Sequence, residues 1–165
     1  MKPILPLRAG RPLRARRGAA VLVLAAALLA GVPALAGAQE ISLSCLSGAR
    51  LSEADLGRGA TIVVVWASWS PRSRDIAERV RPLADRWGGR ARVLTVNFQE
   101  DRQAVEGFLG GRDLGAPVCL DPDGAFSRKY NVATLPGLLI VKDGQVAYRG
   151  KLPEDADRVI ADLLR

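Results

Sequence analysis

Histidine is absent from the sequence. Its absence removes the commonest metal ligand, the usual proton carrier near neutral pH, and any serine–histidine or cysteine–histidine nucleophile pair. Cysteine is nearly absent: Cys45 and Cys119 stand alone, too far apart in the chain to build a zinc cluster. There is no Gly-Lys-Ser/Thr phosphate loop and no Gly-x-Gly-x-x-Gly fingerprint. No metal site and no cofactor is therefore expected. The first 38 positions hold no acidic residue and six of the 24 basic residues. Residues 39–165 are nearly balanced, 18 basic against 17 acidic, so the basic excess belongs to the leader and gives no argument for a nucleic-acid partner.

That leader has three parts. A basic segment ends at Arg17, an apolar stretch runs from Ala19 to Leu35, and Ala36-Gly37-Ala38 is a small-x-small cleavage site. Residues 1–38 read as a secretory signal peptide, cleaved after Ala38 to leave an exported or periplasmic domain over residues 39–165. The alternative is an uncleaved N-terminal membrane anchor, although the apolar run is near the lower limit for spanning a bilayer. Only in that case would the membrane be a partner. Cys45 is no lipoprotein cysteine, because it follows Ser44 and lies well beyond the apolar run.

What the chain does have is the segment Thr61 to Arg74, TIVVVWASWSPRSR. A β-branched run, Thr61 to Val65, reads as a buried strand. Ile76, Val80, Leu83 and Trp87 follow at spacings of 4, 3 and 4, one face of a helix. Ser70 then Pro71 predicts the start of that helix, a side-chain acceptor followed by a residue that needs no donor. A strand thus feeds a helix, with Ser70, Arg72 and Ser73 at the mouth.

This stretch resembles the active-site segment of thioredoxin-like proteins, above all the TlpA/ResA (redoxin) type of extracytoplasmic thiol–disulfide oxidoreductases. Their pattern is W-A-S-W-C-x-x-C-R between a strand and a helix. Here it is Trp66-Ala67-Ser68-Trp69-Ser70-Pro71-Arg72-Ser73-Arg74, with serines at both cysteine positions. The remaining pattern agrees with that family. Residues 41–57 predict two short strands around Ser47-Gly48 and then a turn. Arg92 to Phe98 is a strand, and Glu100 to Leu109 a helix with Val105, Phe108 and Leu109 on one face. Ala116 to Leu120 is an inserted strand before the turn Asp121-Pro122-Asp123-Gly124, and Ala125 to Tyr130 is a short helix. Gly137 to Val141 and Val146 to Tyr148 form a hairpin about Asp143-Gly144, and Pro153 to Arg165 closes with a helix. The fold class is α/β: a thioredoxin-like central mixed sheet flanked by helices, with an N-terminal hairpin and an inserted strand.

The resemblance implies that Pro136, in Thr134-Leu135-Pro136-Gly137, is a cis-proline facing the helix mouth, with the Leu135 backbone as the edge of a peptide-docking groove. It implies packing for Trp66 and a ligand-facing place for Trp69. Ser70 and Ser73 are the degenerate catalytic positions: a serine hydroxyl is a far weaker acid than a thiol and forms no disulfide. Cys45 and Cys119 are either bridged to one another or small buried residues, and the sequence leaves both readings open. The sequence thus leans against an enzyme. It favours a redox-inactive binding or accessory protein of the cell envelope, taking a protein, a peptide or a small anionic ligand through Trp69, Ser70, Arg72, Ser73, Leu135 and Pro136. The rival reading is a thiol–disulfide oxidoreductase or peroxidase-like protein working through Cys45 and Cys119.

Overall fold

The computed structural model describes residues 40–165. The signal peptide expected over residues 1–38, and its cleavage, lie outside the described residues.

Seven strands form one sheet in the order β2-β1-β5-β4-β3-β6-β7. Strand β3 (Ala60–Trp66) is central, parallel to β4 (Arg92–Phe98) and antiparallel to β6 (Gly137–Lys142). Ile62 to Trp66 are each 0% exposed, as a strand covered on both faces must be. Their side chains alternate between two cores. Ile62, Val64 and Trp66 meet α2 (Ile76–Trp87), α3 (Arg102–Leu109) and α5 (Ala156–Leu163) on one face. Val63 and Val65 meet α1 (Glu53–Leu56) and α4 (Ala125–Lys129) on the other.

The edges are built from hairpins. β1 (Ser42–Cys45) pairs antiparallel with β2 (Arg50–Ser52), and β1 also runs antiparallel to β5 (Val118–Asp121), which is parallel to β4. At the far edge β6 returns as β7 (Gln145–Lys151). That turn places Asp143 at φ 50° and Gly144 at φ 79°, the positive pair that a two-residue hairpin favours.

The architecture is the thioredoxin-like one expected, with three local differences. The helix predicted from Pro71 is interrupted. Pro71–Ser73 form a single 3₁₀ turn, closed by the Ser73 N–H on the Ser70 carbonyl at 2.9 Å, and α2 starts only at Ile76. The turn predicted at Leu56-Gly57 is preceded by the short helix α1, whose Ser52 and Asp55 make a reciprocal capping box. The last helix begins at Ala156 rather than Pro153, because the preceding segment is held extended. The Leu152 N–H donates to the Pro136 carbonyl at 2.9 Å, and Arg79 takes the Leu152 and Pro153 carbonyls at 3.0 and 3.3 Å. On this helix Ile160 is fully buried, while Val159, Leu163 and Leu164 are half-buried.

Candidate functional site

The end of β3 places Trp66 in the core, 0% exposed, with its ring 5.5 Å from that of Phe108. The chain then turns outward. One carboxylate fixes this turn: Glu100 accepts from the Ser68 N–H at 2.6 Å, from the Ser68 hydroxyl, and from the Asn97 amide at 2.7 Å. Hydrogen bonds to a charged acceptor are the strong kind. Nothing in the sequence singled out Glu100 or Asn97, since 29 or more positions separate them from Ser68 and only the parallel pairing of β3 with β4 brings them there.

Trp69 emerges from the turn 60% exposed and leans on Phe98, ring centroids 6.4 Å apart. The two rings, Val132 and Leu135 line a groove of about 510 Å³, with Ser70, Pro71 and Arg72 along its other side. The Leu135–Pro136 peptide is cis, as the resemblance implied. Pro136 itself faces an adjoining cleft. The structure therefore brings together Trp69, Ser70, Arg72 and Leu135, with Pro136 next to them. It does not bring Ser73 into the groove. Ser73, the last residue of the 3₁₀ turn, is 0% exposed, and its hydroxyl has no hydrogen-bond partner among the described residues. Its N–H is used inside the turn, donating to the Ser70 carbonyl.

Below the groove wall lies the second core. Phe98, Val132 and Leu135 pack against the cluster that contains Cys45 and Cys119. These cysteines sit directly opposite one another in the β1–β5 register and are joined by a disulfide. They are 3% and 1% exposed. Two residues on, buried Asp121 accepts from the N–H groups of Phe126 and Ser127, each at 3.0 Å, and from the Ser127 hydroxyl at 2.8 Å. It thereby fixes the start of α4. On that helix's flank, burial raises the Tyr130 phenol above its ordinary value and keeps it neutral, with the Glu53 charge adding to the effect. Among the described residues no group of three acidic, cysteine or histidine side chains is placed to hold a metal ion.

A family model described as Redoxin matches residues 31–164. The chain belongs to the Redoxin family. Its Redoxin domain is similar to sporulation thiol-disulfide oxidoreductase A of Bacillus subtilis (strain 168), 26% identical over 91 residues, which are 52% of this chain and 55% of that protein. The match thus spans about half of that curated relative. The crystal structure of StoA from Bacillus subtilis aligns with a TM-score of 0.63 at 21% identity, over 76% of this chain and 96% of that one. The pneumococcal exposed lipoprotein thioredoxin from Streptococcus pneumoniae aligns with a TM-score of 0.66 at 20% identity, over 75% and 97%. These structural likenesses establish the thioredoxin-like fold. Among the described residues no helix is long and apolar enough to cross a membrane.

These findings correct the functional reading made from the sequence. The expectation of a redox-inactive binding protein is overturned, and so is the premise that serines have replaced the redox cysteines altogether. Ser70 and Ser73 do stand at the strand-to-helix turn, but the chain keeps a cysteine pair, joined as Cys45–Cys119 in the sheet. A curated relative it matches is a thiol–disulfide oxidoreductase. The sequence left open whether Cys45 and Cys119 are bridged and kept an oxidoreductase working through them as the rival reading; strand pairing joins these residues, 74 apart, and favours that rival.

Proposed function

We propose that this Redoxin-family protein is a thiol–disulfide oxidoreductase of the TlpA/ResA type, acting in the cell envelope through the Cys45–Cys119 pair. The observation that carries the reading is the disulfide itself, set in a thioredoxin-like domain that resembles a thiol–disulfide oxidoreductase. The signal peptide ending at Ala38 is part of the same proposal, since a persistent disulfide suits an oxidising compartment.

The exchange is an ordinary two-step transfer. A thiolate of a partner dithiol attacks one sulfur of the Cys45–Cys119 bond. That bond breaks, a mixed disulfide forms, and the other cysteine leaves as a thiolate that takes up a proton. The second thiolate of the partner then attacks the mixed disulfide and releases the remaining cysteine. The partner ends as a disulfide, and this protein as a dithiol, reduced by two electrons; the reverse sequence reduces a partner disulfide. The buried sulfurs require the β1–β2 hairpin to fray around the bond, which itself still ties Cys45 to Cys119, before a thiolate reaches them. The hairpin is well suited to such local opening. It lies at the sheet edge and holds β5 through only two register pairs, Ser44 with Leu120 and Cys45 with Cys119. Beside them are one bond from the Leu46 N–H to the Val118 carbonyl at 2.8 Å and two from Arg102 to the Cys45 and Leu46 carbonyls. The Trp69–Leu135 groove would dock the partner.

The test is a redox titration of the mature protein against dithiothreitol and glutathione couples, with an insulin-reduction assay alongside. The expected outcome is a reversible two-electron couple above about −300 mV, and turnover that Cys45→Ser with Cys119→Ser removes. A couple below that value, or turnover that the double variant retains, would sink the proposal.

A further inference from the structure

The groove beside Trp69 does not end at Pro71 and Arg72. These two residues also line a second cleft of about 410 Å³, which continues past Pro136 to Lys151. The two halves differ in chemistry. The first is walled by Trp69, Phe98, Val132 and Leu135, all apolar. The second carries Arg72, Arg74, Arg79 and Lys151 against Asp75 and Glu154. Arg79 and Glu154 lie 3.8 Å apart and offset one another, Arg79 being further tied to two backbone carbonyls, and exposed Asp75 offsets one more charge, which leaves the cleft net positive. Arg72, Arg74 and Lys151 are exposed and make no ion pair among the described residues. The surface is thus apolar at one end and positive at the other, joined across Arg72.

We propose that the groove and the basic cleft form one docking surface for an extended polypeptide, with an apolar side chain against Trp69 and acidic residues against Arg72, Arg74 and Lys151. The inference rests on the exchange reading above only in taking a protein as the partner, and it names which polypeptides are selected. Charge complementarity chooses this occupant over a small anion. Each exposed ion pair is weak alone, so a single phosphate or carboxylate gains little. A chain gains from several pairs together, and its apolar anchor removes the exposed Trp69 face from water.

The probe is a pair of cysteine-free decapeptides, each with Leu-Phe followed by four glutamates or by four lysines, titrated into the wild-type disulfide form. Trp69 reports occupancy, because Trp66 and Trp87 are buried. At low ionic strength the glutamate peptide should bind about tenfold more tightly than the lysine peptide, three weak pairs adding to about one decade. The preference should shrink as salt rises. Arg72→Glu with Lys151→Glu should reverse it, while Arg158→Glu, exposed and outside both clefts, should leave it unchanged. Equal binding of the two peptides, no fluorescence change with either, or an equal effect of Arg158→Glu overturns the inference. Because the peptides hold no sulfur, these outcomes are independent of the redox titration: docking without a reversible couple removes the exchange reading alone, and a reversible couple without the acidic preference removes this one alone.

Discussion

Gly137 shows how closely the groove is built. It follows the cis-proline and opens β6, and a Cβ placed there would lie 2.6 Å from the Val132 methyl and 2.7 Å from the Thr134 carbonyl. Val132 can turn aside, but the backbone carbonyl cannot. Gly137→Ala should therefore destabilise the fold by about 1–3 kcal/mol and widen the groove wall. Urea unfolding checks the first effect and the Trp69 emission maximum the second; an unchanged midpoint would mean that the loop before Pro136 yields freely. Sequence reasoning placed Trp69, Ser70, Arg72, Leu135 and Pro136 near one another because their motif carries the placement. It had no signal for Glu100, Asn97 or Phe98, which reach the site from the neighbouring strand end.

At the scale of the element, the short helix α1 depends on its cap. Asp55 accepts from the Ser52 N–H at 2.9 Å and from the Ser52 hydroxyl at 2.8 Å, and Arg92 lies 3.3 Å away. These hydrogen bonds, the backbone one first, hold the Asp55 carboxyl below its ordinary value against the opposing effect of desolvation, with Arg92 helping. A lowered value in the folded state gives stability that is fully present above the unfolded value and is lost as pH falls through the folded one. The wild type should therefore lose more stability than Asp55→Asn between about pH 5 and about pH 2. Parallel urea melts at the two pH values check this, and equal losses would assign the acid sensitivity elsewhere. The helices also show where periodicity stops being informative. The spacing of Ile76, Val80, Leu83 and Trp87 correctly identified the buried face of α2, but not its first residue. The Ser70–Pro71 signal was spent on a 3₁₀ turn, and the first α-helical bond there is from the Arg79 N–H to the Asp75 carbonyl at 3.1 Å.

Over the whole molecule, the disulfide is the covalent link between distant parts of the described chain, joining residues 74 apart. It closes a segment of 74 residues that contains β2, β3, α2, β4 and α3. Constraining a loop of that length in the unfolded chain corresponds to about 4 kcal/mol in the chain-entropy account. Cys45→Ala with Cys119→Ala should lower unfolding stability by about that amount, and the wild type in excess dithiothreitol should fall to a similar midpoint. If reduction leaves the midpoint in place, the hairpin is held by its apolar contacts and the bridge is not a constraint on the fold.

The sequence by itself determined the class of fold, because each element carries its own local signal. These are the β-branched run of β3, the 3.6-residue spacing of α2, the Asp143-Gly144 turn, and the proline before β6 within the W-A-S-W frame. It also determined that no histidine chemistry takes part. Tertiary structure alone decided the rest. Whether Cys45 meets Cys119 depends on β1 lying beside β5, and that depends on a sheet order which no window of sequence contains. The functional reading turned on this contact. Local patterns report what a segment does with its immediate neighbours, while the bridge, the Glu100 clamp and the basic cleft are made by residues whose distance in space is set by the packing of the whole sheet.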